Sequence, residues 1–234
     1  MNEVEIFEML SAVKWYFELK NLSLKNALAL RCPLSVENQS DLRQYYSQYF
    51  AGLLSATELF REQDYPYNLP FNITLKQKLS FEGFPDGEYN YSYLRELRNS
   101  IIHRGLNISS AVHIKDNFPL LISPSPVKSR SGKTLYKPFG FYLIEIIQKC
   151  EKVIGDIFLT HFTEFELLKK YIPQEKTIEL SKKAISESIA MPDWVKTNAL
   201  KVIGTLDHEK VQRDLITDLV KILKFNVISV PIVK

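Results

Sequence analysis

Residues 93–105 read Tyr93-Leu94-Arg95-Glu96-Leu97-Arg98-Asn99-Ser100-Ile101-Ile102-His103-Arg104-Gly105. Leu94, Leu97, Ile101 and Ile102 recur at the three- and four-residue intervals of an amphipathic helix, so one face is expected in a core. Gly105 supplies the stop, because glycine accepts the left-handed conformation that closes a helix. Arg95, Asn99 and His103 stand four apart and form one polar stripe, with Arg98 beside it. In structural terms alone, His103 and Arg104 suit the negative end of the helix dipole and its unpaired carbonyls.

Arg98-Asn99-Ser100-Ile101-Ile102-His103 also resembles the R-x4-H motif of the HEPN superfamily, in the form with a polar residue after the arginine. Leu97 before it and Arg104-Gly105 after it extend the resemblance to about ten residues. The resemblance implies a mainly α fold, a HEPN-like antiparallel helical bundle. It implies a homodimer in which two copies of the motif form one composite site, and a metal-independent ribonuclease activity on an RNA substrate. It also fits a toxin or phage-defence effector, with an antitoxin or other regulatory protein as a further partner.

The chemistry of these residue types agrees with that activity. RNA is cut without a metal when its 2′-hydroxyl attacks the adjacent phosphate, which needs a base, an acid and positive charge. Histidine titrates near neutrality, so His103 suits the acid/base role. The planar guanidinium of Arg98 offers a donor fork to phosphate oxygens, and Asn99 can orient the imidazole or the substrate. These three are the expected catalytic residues. Arg95, Arg104 and Tyr93 are the expected substrate contacts, Tyr93 as part of a tyrosine run (Tyr89, Tyr91, Tyr93) that either stacks on unpaired bases or fills the edge of a core. No metal ligand set and no cofactor are expected. On a regular helix a spacing of five points Arg98 and His103 about 140° apart. A distorted helix end or a second copy is therefore needed to bring both to one phosphate.

Composition bounds the rest. The 234 residues are 45% hydrophobic and 24% charged, as in an ordinary soluble globular protein. No apolar run is long enough to span a bilayer, and the N-terminus lacks a basic signal region, so a cytoplasmic chain is expected. Cys32 and Cys150 lack metal-ligand spacing and read as reduced thiols. Net charge is only +3, but Lys76–Lys137 holds ten Lys or Arg against five Asp or Glu, leaving the remainder at −2. A positive middle around the motif favours a phosphate-bearing partner.

Toward the N-terminus, periodicity predicts a helix over Glu3–Lys20, a short piece over 21–30 ended by Arg31-Cys32-Pro33, and a helix from Leu42 to Glu62 capped by Ser40 or Asp41. In that last helix Ala51, Gly52, Ser55 and Ala56 permit close packing, and Gln48 and Glu58 are polar positions that fit a solvated face first and could also approach a shared site. Pro66–Asp86 reads as loop. After the motif, Ala111–Lys115 and Phe118–Ile122 read as a hairpin turning at Asp116-Asn117, within a β insertion near 110–137. Ser123–Lys133 reads as a basic loop. Its Ser131-Gly132-Lys133-Thr134 is not a phosphate loop, because Val127 stands where the first glycine is required. Phe139–Lys170 reads as the longest helix and the main partner of the motif helix, with His161 packed among apolar neighbours.

Residues 1–172 are thus expected to form the bundle, and 173–234 a C-terminal helical extension with helices over Glu175–Ser188, Trp194–Leu206 and Glu209–Phe225 and an apolar tail from Asn226. Two other functions fit the same residues. One is a catalytically inactive HEPN-like module that binds a partner protein, nucleotide or nucleic acid. The other is an unrelated helical interaction protein in which Arg98 and His103 only finish a helix.

Overall fold

The computed structural model describes residues 1–228, and the fold is mainly α with a small β insertion. The first helix, α1, runs unbroken over Glu3–Ala29, joining the two pieces expected from periodicity. Nothing between residues 20 and 29 breaks a helix, and Leu24, Ala27 and Leu28 continue the buried face. A capping box starts it: the Asn2 side chain accepts from the Val4 and Glu5 amides while the Glu5 carboxylate accepts from the Asn2 amide.

Helix α2 spans Val36–Glu58 and begins six residues earlier than periodicity alone indicates, because Ser35 caps it by accepting from the Asn38 amide. It lies along α1 at close range. A Cβ on Gly52 would stand 2.8 Å from the Tyr16 carbonyl oxygen, so the small residue in α2 sets that approach. Pro66–Asp86 is not all loop: α3 forms over Asn68–Lys78 and buries Phe71 and Leu75. Pro70 is tolerated there because it sits in the first turn, where amides have no helical partner.

Helix α4, Gly87–Arg104, carries the motif; Asp86 caps it by accepting from the Tyr89 amide. Gly105 closes it at φ +68°, and the Leu106 amide returns to the Ser100 carbonyl. Strands β1 (Val112–Lys115) and β2 (Phe118–Leu121) then pair antiparallel about Asp116 and Asn117, both at positive φ as this tight turn requires. The basic loop is itself a hairpin, with β3 (Val127–Lys128) paired to β4 (Leu135–Tyr136).

Helix α5, Leu143–Glu164, is buried over most of its circumference. Its main helical neighbours are α3 and α8 (His208–Lys224), whereas the motif helix α4 packs chiefly on α2 and α3. The expected α4–α5 partnership is therefore corrected: α5 spends its breadth elsewhere. A Cβ on Gly155 would lie 1.9 Å from the Leu223 carbonyl oxygen, which shows how closely α8 is laid on α5. The C-terminal stretch accordingly divides. Helices α6 (Gln174–Glu187) and α7 (Asp193–Val202) bury no residue, while α8 places Leu219 and Leu223 in the same core as α1 and α5. Val227 and Ile228 also pack against that core; the rest of the apolar tail, 229–234, lies outside the described residues.

One polar group interrupts the core. Lys20 of α1 reaches both Glu151 carboxylate oxygens of α5 (2.8 and 3.0 Å), and Tyr49 of α2 donates to the same carboxylate at 2.9 Å. Both charged side chains are 1% exposed. Burial pushes the Lys20 ammonium below its usual range, against the pull of Glu151. Among the described residues, no helix is long and apolar enough to cross a membrane.

Candidate functional site

Helix α4 presents four different faces, and each motif residue is placed by the face it occupies. Leu94, Leu97 and Ile101 enter the core as the hydrophobic pattern requires. The fourth member of that pattern, Ile102, is 48% exposed and stands beside the polar stripe instead. Its angular position lies on the Arg95 side of the helix, outside the arc that faces α2 and α3.

Arg98 lies at the α2 edge. Its guanidinium Nη2 is bound to the Glu58 carboxylate of α2, and its side chain is 17% exposed. The buried Nε has no hydrogen-bond partner among the described residues. Glu58 is thus the acidic neighbour of the motif arginine, a position whose sequence pattern fitted a solvated face as well as an approach to the site. The other such position, Gln48, accepts from the Ser23 hydroxyl at 3.0 Å on the α1 side and takes no part here.

Asn99 and His103 occupy the open face. Together with Arg104 and Arg130 they line a cleft of about 540 Å³. His103 is exposed at its rim, and Arg95, 44% exposed, stands one turn before Asn99. The structure therefore brings Asn99 and His103 to one cleft and turns Arg98 toward α2. This is the divergence that a spacing of five produces on a regular helix.

Arg104 and Tyr93 are engaged by the protein itself. Arg104 Nη2 binds the buried Glu96 carboxylate at 2.9 Å and the Glu96 carbonyl at 3.1 Å. Its Nη1 donates to the carbonyls of Lys128 (2.7 Å) and Ser129 (3.3 Å), tying the β3 end of the second hairpin to the motif helix. Tyr93 is 0% exposed, and its hydroxyl donates to the Pro124 carbonyl at 3.0 Å. Burial pushes that phenol well above its usual range. The expectation that Tyr93 stacks on a base is corrected on these grounds: both faces of its ring are covered. The tyrosine run acts as an anchor instead. Tyr89 accepts from the Lys137 amide (2.8 Å) and donates to the Leu135 carbonyl (3.1 Å), holding the β4 end of the same hairpin.

Two contributors were not singled out by sequence. Glu96 looked like one more surface charge on a helix, and only the turn of Arg104 back toward it makes it the buried counter-ion. Arg130 sat within a recognised basic loop, but nothing local distinguished it from Lys128 or Lys133. Its place in the cleft depends on the Arg104 and Tyr89 anchors.

Chemically, the cleft joins an imidazole, a carboxamide and two guanidinium groups, with no carboxylate among the described residues that line it. Such a set can hold an anion and move a proton. Among the described residues, no group of three or more His, Cys, Asp or Glu side chains is placed to hold a metal ion. His161 does not line this cleft; it is buried among aromatic rings with its Nε2 2.6 Å from the Tyr65 hydroxyl, and burial lowers its pKa to about 4.

Comparison of the chain with known protein families, with curated proteins and with solved structures finds no match.

Proposed function

We propose that the chain is a metal-independent RNA endonuclease of the HEPN type, acting at the open face of α4. The observation that carries this reading is the cleft lined by Asn99, His103, Arg104 and Arg130, on the helix that also carries the motif arginine, Arg98, on its α2 side. In the proposed reaction the 2′-hydroxyl attacks the adjacent phosphorus and the bond to the 5′-oxygen breaks. The products are a 2′,3′-cyclic phosphate and a free 5′-hydroxyl. His103 takes or returns the travelling proton, Asn99 orients it, and Arg98 stabilises charge on the phosphoryl oxygens.

A second copy of the chain completes the site in this reading. Arg98 and His103 point apart on one helix, and the exposed strip between them carries Ile102 and Arg95, an apolar and a cationic group open to a partner. Two α4 helices crossing on this strip place the Arg98 of one beside the His103 of the other.

The Arg98–Glu58 pair favours a second reading, a catalytically silent module that binds a partner protein, nucleotide or nucleic acid, because the motif charge is already neutralised. Incubation of the purified protein with RNA in EDTA decides between them. The nuclease reading requires 2′,3′-cyclic phosphate ends, with a loss of at least about 100-fold in His103→Ala and a comparable loss in Arg98→Ala. Absence of cleavage by a folded dimer selects the silent module. Cleavage surviving both substitutions assigns the chemistry to other residues.

A further inference from the structure

The second hairpin concentrates positive charge in one short segment. Val127–Lys137 contains Lys128, Arg130, Lys133 and Lys137 and no acidic residue. Some exposed cations elsewhere are paired with carboxylates, such as Lys78 with Asp156, Lys169 with Glu166 and Arg213 with Glu209, whereas this segment has no acidic residue of its own. Among the described residues, none of these four side chains makes an ion pair or a hydrogen bond. They are also not needed to shape the hairpin. Its tip is closed by its own backbone and small side chains, with Ser129 and Thr134 exchanging bonds (2.9 and 3.1 Å), the Gly132 amide returning to Ser129, and Gly132 at φ +74°.

The hairpin is also fixed to the motif helix at both ends. Arg104 holds Lys128 and Ser129, and Tyr89 holds Leu135 and Lys137. These anchors place Arg130 in the cleft with Asn99 and His103. Arg104, expected as a substrate contact, has both of its Nη groups engaged, by Glu96 and by the hairpin. Of the two arginines lining the cleft, Arg104 is paired with Glu96, and Arg130 of the hairpin makes no ion pair among the described residues.

We infer that the β3–β4 hairpin is an RNA-backbone-binding arm, in which Arg130 and Lys133 contact phosphates of the strand flanking the one that is cut. The inference rests on the RNA-cleavage reading and deepens it. Unpaired cations on a preorganised support bind phosphate without first breaking an ion pair, and such contacts fix register and orientation on a strand without reading its sequence. An anchored hairpin next to the proton-transferring histidine thus sets which phosphate lies in the cleft.

The test uses the full chain and a fluorescent single-stranded 2′-O-methyl RNA, which has no free 2′-hydroxyl and is not cut. Binding is followed by anisotropy across a salt series for the wild type, for Arg130→Ala/Lys133→Ala, and for Lys182→Ala/Lys183→Ala on α6 as a charge-matched control, with circular dichroism checking the fold of each. The arm requires roughly tenfold weaker binding in the first variant and a fall of about 1.4 in the slope of log K against log salt, about 0.7 for each phosphate no longer neutralised. The control keeps wild-type affinity and slope. Wild-type affinity and slope in the hairpin variant, or equal losses in the control, overturn the arm while leaving the nuclease reading intact. A wild type that does not bind the RNA overturns both.

Discussion

Arg98 and Glu58 meet across the α2–α4 seam, forty positions apart in the chain, so the most distinctive cation of the motif helix is met by a carboxylate. Glu58 is 35% exposed and Arg98 17%, which makes the pair accessible to competition by an incoming phosphate.

Glu58→Gln is expected to preserve the shape of the seam while releasing the Arg98 charge. RNA affinity should rise by roughly two- to fivefold, the equivalent of a pair worth up to about 1 kcal/mol, with stability falling by no more than that. Unchanged affinity beside unchanged folding would show that Arg98 does not meet RNA.

The Lys20–Glu151 pair calls for a different experiment, because both side chains are 1% exposed. Lys20→Met or Glu151→Leu alone leaves a charge buried without its partner and should cost about 3–5 kcal/mol in urea unfolding. Combining both with Tyr49→Phe removes the whole polar group and should cost less than either charged single. Strictly additive losses would refute the coupling.

His161 makes stability depend on pH in a window set by its surroundings. Phe71 and Phe165 pack against its ring at 5.2 and 4.8 Å between centroids, and burial lowers it from 6.5 to about 4. Between those values the unfolded chain binds a proton that the folded chain refuses, so stability rises with pH across this window and falls on acidification. The loss attributable to His161 should approach about 3 kcal/mol at pH 4. Urea titrations at pH 7, 5.5 and 4 should show this added loss in the wild type and its absence in His161→Gln; parallel pH profiles would reject the assignment.

Gly155→Ala tests the seating of α8. With the Leu223 carbonyl oxygen 1.9 Å from the new Cβ, the helices must separate, and a loss of about 2–3 kcal/mol or more is expected in thermal unfolding. Gly204→Ala, which meets nothing within 4 Å, should stay within about 0.5 kcal/mol and serves as the control. Equal melting temperatures for the two variants would remove α8 from the core.

What the sequence determined by itself is what short stretches encode. The buried positions Leu94, Leu97 and Ile101 of α4, its stop at Gly105 and the turn at Asp116-Asn117 all depend on residues within a few positions of one another. The divergence of Arg98 from His103 was equally legible, since helical geometry follows from spacing. Local signals were missed where they competed: Ser35 started α2 ahead of Ser40 and Asp41, and α3 formed through Pro70 because a first-turn proline gives up no helical bond. Only the tertiary structure decided which faces meet. That α4 rests on α2 and α3, that α8 returns to α1 and α5, and that Arg104 turns its Nη groups to Glu96 and the second hairpin are outcomes of packing between distant segments. Tyr93 shows the limit most directly. A tyrosine on a helix face carries the same local pattern whether solvent, RNA or a proline carbonyl lies above it, and the chain that covers it arrives thirty-one positions later.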